Sequence, residues 1–112
     1  MPHSYAFLAD AAAELDVPEN GILSRTVHQD DHAKIVLFGF SDGQELSAHT
    51  APMPATLHFL KGSARVRLGD DTVEAKAGSF VYMPPLLEHG IVATAPLVML
   101  LVLHKQPRQP AT

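Results

Sequence analysis

From Gly21 onward the chain is written in short apolar runs divided by turn residues. The runs cover residues 22–28 (ILSRTVH), 33–40 (AKIVLFGF), 44–50 (QELSAHT), 55–61 (ATLHFLK), 63–69 (SARVRLG), 71–76 (DTVEAK), 79–84 (SFVYMP), 88–94 (EHGIVAT) and 97–104 (LVMLLVLH). Asp30-Asp31, Asp42-Gly43, Pro52, Pro54, Lys61-Gly62, Gly69-Asp70-Asp71, Ala77-Gly78, Pro84-Pro85 and Pro96 punctuate them. Regularly spaced runs rich in Val, Ile, Leu and Phe predict β-strands. No helical pattern falls between any two of them, so a parallel sheet with helical crossovers is disfavoured. An all-β sandwich or barrel is expected.

The run 97–104 has a further consequence. It is apolar from Leu97 to Leu103 without alternation. A strand with one wet face alternates, so both faces of this one should be covered. One face can look into a barrel, and the other needs a lid. Two lids offer themselves: the segment before Pro18, or a second copy of the chain. A homodimer is the expectation taken here.

The segment over residues 4–15 is the one predicted helix. Ser4 can cap it, its alanines and leucines favour it, and Pro18 with Asn20-Gly21 ends it. The organisation expected is therefore a helical arm (1–20), a β-barrel (21–104) and a Pro- and Gln-rich frayed tail (105–112).

Composition narrows the function. A length of 112 residues suits one domain, and 46% hydrophobic with 18% charged residues suits a folded one. The net charge of −4 comes without a basic stripe, which argues against nucleic acid and against a membrane surface. There is no cysteine, so disulfides, thiolate metal sites and cysteine nucleophiles are excluded. The first residues lack the basic and apolar regions of a signal peptide, and no apolar run could span a bilayer. The cytoplasm is the expected compartment. No serine sits in a nucleophile motif and no glycine-rich phosphate loop is present. Arg65 and Arg67 share one strand face, where two solvated charges are a simpler reading than an anion site.

Histidine carries the remaining chemistry. Of the seven, His3, His28, His32 and His104 lie near termini or a polar turn and read as surface residues. His49, His58 and His89 remain. Gly43, His49, Ala51, Ala55 and Gly62 stand at the spacing of one motif, and Gly78, Pro84 and His89 at the spacing of a second. Both together, in this order, resemble the two motifs of the cupin superfamily, and in particular small single-domain bacterial cupins without an assigned activity. The resemblance covers residues 21–104.

It implies a double-stranded β-helix, or jelly-roll barrel, in agreement with the strand pattern. In metal-binding members the first motif supplies His, His and Glu, and the second one His, around a divalent transition metal. Carried over, His49 and His89 match the first and last ligands. The second histidine is Ala51 and the glutamate Ala55. The glycine inside the second motif is Leu86, and its closing asparagine is Ala93. The site is degenerate, because protein metal centres commonly use three or four protein ligands.

Strand parity bears on a replacement ligand. If Ala55 faces inward, so do Leu57 and Phe59, and His58 faces out. Glu45 shares the parity of His49 and could approach the barrel mouth. With alanine at two ligand positions the cavity turns apolar, walled by Met53, Leu57, Phe59, Tyr82 and Met83 beside the two imidazoles. Two functional readings follow. The first is a protein that binds a small molecule in this pocket. The second is a metal-dependent oxygenase or isomerase, its metal held by His49, His89 and a third ligand such as His58 or Glu45. A regulatory or storage module without a ligand is a weaker third reading.

Overall fold

A computed structural model describes residues 3–105. Nine strands follow one another: β1 (Ile22–Gln29), β2 (Ala33–Phe40), β3 (Glu45–His49), β4 (Ala55–Lys61), β5 (Ser63–Leu68), β6 (Asp71–Lys76), β7 (Phe80–Met83), β8 (His89–Ala93) and β9 (Leu97–His104). Each of the nine predicted runs is a strand, with ends moved by at most a residue. All pairings are antiparallel. A five-stranded sheet in the order β1-β2-β9-β4-β7 faces a four-stranded sheet in the order β3-β8-β5-β6. The expected double-stranded β-helix is the architecture found.

The inner faces of the two sheets make one core. Phe40, Leu57, Phe59, Val66, Ile91, Leu97 and Met99 are its larger members, each 3% exposed or less. Strand β9 shows how the barrel is filled along its length. Its inward residues are Leu97, Met99, Leu101 and Leu103. The first two are sealed in the core, while Leu101 and Leu103 line an open cavity at the other end. One end of the barrel is therefore solid and the other hollow.

The run 97–104 is covered on both faces, in part as expected. Val98 and Leu100 point outward into a second cluster with Leu37, Leu8, Leu15 and Val17. The N-terminal arm is thus one lid. It is not the predicted helix: only a single 3-10 turn forms, Ala11–Glu14, and no side chain caps it. Tyr5 and Phe7 are 87% and 77% exposed. The arm is held instead by Leu8 and Leu15 gripping the sheet and by Arg25, which bonds the Glu14 backbone and carboxylate. Packing to the sheet decided its conformation over alanine propensity. Gly39 makes the close approach possible, since a Cβ there would meet Leu15 Cδ2 at 2.5 Å.

The arm covers only part of the outer face. By register, Tyr82, Thr56, Val102 and Ile35 form one cross-strand row, and Phe80, His58, Leu100 and Leu37 the next. At the β7 edge Phe80 and Tyr82 remain 65% and 57% exposed. The frayed tail expected at 105–112 lies, past Lys105, outside the described residues.

Candidate functional site

Two histidines meet at the hollow end. His49, the last residue of β3, pairs in register with His89, the first of β8. Their ring centroids are 4.4 Å apart at an interplanar angle of 56°. His89 is 9% exposed, while His49 is itself exposed to solvent. Each ring is fixed the same way. His49 Nδ1 donates to the Ser47 carbonyl and His89 Nδ1 to the Leu87 carbonyl, both at 2.9 Å. A carbonyl oxygen can only accept, so Nδ1 carries the proton in each. In the neutral rings Nε2 then holds the lone pair.

A bulge aims His49. Between Leu46 and His49 the β3–β8 register shifts: three steps on β3 span the two steps from Ile91 to His89 on β8. Leu46 and Ile91 face the core, and the extra residue brings His49 inward as well. Strict alternation would have sent it out. Gly90 permits the bulge, because a Cβ there would crowd Ala48 N and Leu46 O at 3.2 Å. The bulge also corrects the parity argument for Glu45, which lies with Arg65 and Arg67 on the outer face of the small sheet and not at the barrel mouth.

The histidines stand in a cavity of about 190 Å³ with Ala51, Met53, Ala55, Met83, Leu87 and Leu103 among its walls. Of the residues expected to line it, Met53 and Met83 do so. Leu57 and Phe59 face inward as parity required, but two and four residues along β4 from Ala55 at the cavity, in the sealed core. Tyr82 is a correction. It opposes Thr56 on the outer face, while its neighbour Met83 opposes Ala55 on the inner one. Tyr82 borders a separate, more open outer groove with Pro52, Pro54, Pro85 and His104, and Met53 is shared between groove and cavity. Leu87, Leu101 and Leu103 were not foreseen as walls. The signal for the last two lay in the β9 run, whose inward parity they share with Leu97.

Among the described residues no third histidine and no carboxylate joins the pair. Ala51 and Ala55 present methyl groups where the motif has a histidine and a glutamate. His58 faces outward, edge-on to Phe80 at 6.4 Å between ring centroids. Glu88 points away from His89 and pairs with Arg67 at 2.8 Å, as Arg65 pairs with Glu74 at 2.9 Å. Among the described residues no three His, Asp or Glu side chains come together as a metal would require. The donor set does not fit a divalent centre of three or four imidazole and carboxylate ligands.

The family is shown by comparison. The sequence matches the model of the cupin domain over residues 23–103. The chain is a cupin. No curated protein matches it. Among solved structures, this cupin is similar to a conserved protein of unknown function, SPY1581, from Streptococcus pyogenes. The identity is 28% and the TM-score 0.83, over 95% of this chain and 93% of that one. It is also similar to DSY2733, a cupin superfamily protein from Desulfitobacterium hafniense, at 23% identity and a TM-score of 0.82, with 95% of each chain covered. KdgF from Halomonas sp. matches at 23% identity and a TM-score of 0.72, over 91% of this chain and 96% of that one. The last two likenesses are of fold alone.

Proposed function

We propose that this cupin binds a small, mostly apolar molecule in the hollow end of its barrel. The supporting observation is the pairing of two backbone-anchored imidazoles with walls that are otherwise alanine, methionine, leucine and proline side chains. Apolar walls with a few convergent polar groups are the usual make-up of a small-molecule site. The volume of about 190 Å³ is below the range of roughly 300–1,000 Å³ for drug-sized ligands, so the guest is compact. Two Nε2 acceptors select a guest with a hydroxyl or another hydrogen-bond donor. The oxygenase or isomerase reading has less support, because both candidate third ligands, His58 and Glu45, lie outside the cavity.

Methionine ε-methyl resonances test this directly. Phenol has a compact apolar body and one donor. At millimolar concentration it is expected to shift the signals of Met53 and Met83 while leaving Met99, sealed in the core, unmoved. Unmoved Met53 and Met83 signals under phenol and short-chain alcohols would reject the reading.

We also propose that the second lid over the large sheet is another copy of the chain. Phe80 and Tyr82 support this, since two exposed aromatics stand on the edge strand of the sheet whose outer face the arm covers only in part, with Thr56 and His58 between them and β9.

A further inference from the structure

The cavity that fails as a hard divalent site has a second set of donors. Met53 and Met83 line it together with His49 and His89. We propose that this cavity is a binding site for a soft monovalent cation of the Cu(I) class, held by the two Nε2 atoms and the two thioethers. It rests on the small-molecule reading in one respect, that the same cavity is open to a guest at the histidines, and goes beyond it in the occupant.

Three features carry it. The first is donor chemistry. Thioether sulfur selects Cu(I) over hard divalent ions, and imidazole accepts it, so two imidazoles and two thioethers form a complete four-donor set where imidazole and carboxylate ligands alone stop at two. The second is charge. The desolvation cost of an ion in an apolar cavity rises with the square of its charge, and no carboxylate of the described residues lines this cavity to offset it. Replacement of the motif glutamate by Ala55 therefore disfavours a divalent ion far more than a monovalent one. The third is pre-organisation and access. Each ring is held by an Nδ1–H bond to a backbone carbonyl, the outer-shell contact that orients metal-binding histidines. Met53 lies between the cavity and the outer groove, so a flexible thioether stands on the entry path.

Silver(I) is a redox-inert substitute for Cu(I) and is the ion to titrate, against Zn(II), into metal-free protein labelled at its methionine methyls. The expected result is one Ag(I) per chain, with shifts at Met53 and Met83 and none at Met99. Met83→Leu and His49→Ala should each weaken Ag(I) by roughly tenfold or more, the scale on which even outer-shell changes act at metal sites. Zn(II) should bind more weakly and be indifferent to Met83→Leu. Thermal unfolding of each variant checks that it folds, and Met53→Leu serves if Met83→Leu does not. Tighter Zn(II) than Ag(I), Ag(I) that leaves Met53 and Met83 unmoved, or Ag(I) affinity unchanged by both leucine variants would overturn the proposal. The phenol titration on the same sample separates the two readings. Phenol shifts without Ag(I) binding would leave the cavity and remove the ion, and silence from both would remove both.

Discussion

Leu86 stands where the second cupin motif has glycine, and its φ is +69°. It is the one described residue other than glycine with a positive φ. The N–H of Leu87 bonds the Pro84 carbonyl at 3.4 Å, closing a four-residue turn with Pro85 second and Leu86 third. Proline followed by a positive φ is the arrangement of a type II turn, which favours glycine at its third position. A side chain in the left-handed region costs about 1–2 kcal/mol. Leu86→Gly removes that cost but adds freedom to the unfolded chain, worth about 0.5–1 kcal/mol in the other direction. Little burial is lost, since Leu86 is 69% exposed. The net gain is about 0.5–1 kcal/mol. For a domain of this size that raises the thermal midpoint by roughly 2–5 °C. Circular dichroism melts of wild type, Leu86→Gly and Leu86→Ala measure it. The alanine variant keeps the unfavourable φ and should melt at or slightly below wild type. If Leu86→Gly melts no higher than Leu86→Ala, the strain assigned to this turn is absent. The turn also matters to the site, because the Leu86 N–H holds the Ala51 carbonyl at 2.8 Å and Pro84 and Leu87 wall the cavity.

Two other glycines make a matched comparison by urea unfolding. Gly62 and Gly43 have φ of +85° and +84°, but a Cβ at Gly62 would lie 1.9 Å from the Pro96 carbonyl oxygen and one at Gly43 would meet nothing within 4 Å. Gly43→Ala should cost about 1–2 kcal/mol and Gly62→Ala about 3–5 kcal/mol, so equal losses would contradict the packing at Pro96. Asp30 closes the β1–β2 turn, where His28 beside it, then the N–H groups of His32 and Ala33, hold its carboxyl well below the usual carboxylate range. A depressed folded pKa stabilises above the unfolded value near 4 and is lost as pH falls toward the folded one. Asp30→Asn should therefore flatten the fall in melting temperature below pH 4, and an unchanged acid limb would count against it. Phe80→Ser with Tyr82→Ser should convert a dimer to a monomer in sedimentation velocity, and a wild-type chain that sediments as a monomer removes the second lid.

The strand pattern, the barrel and the two histidines were legible in the sequence because all three are local or periodic. Apolar runs between turn residues set strand limits directly, and two motifs at fixed spacing name the positions that a jelly roll brings to one mouth. The same locality explains the errors. Alternation placed His49 and Glu45 on one face, and only the β3 bulge pressed against Gly90 separates them. Parity along β4 turned Leu57 and Phe59 inward but carried no depth, which the register with β9 supplies. Ala11–Glu14 favours a helix taken alone, yet Leu8 and Leu15 reach the outer sheet in an extended arm. By itself the chain dictated which residues alternate, where they turn and which ligands are missing. The tertiary structure decided which side chains share one cavity, because bulges, register and long-range packing act between strands far apart in sequence and leave no periodic trace in any one of them.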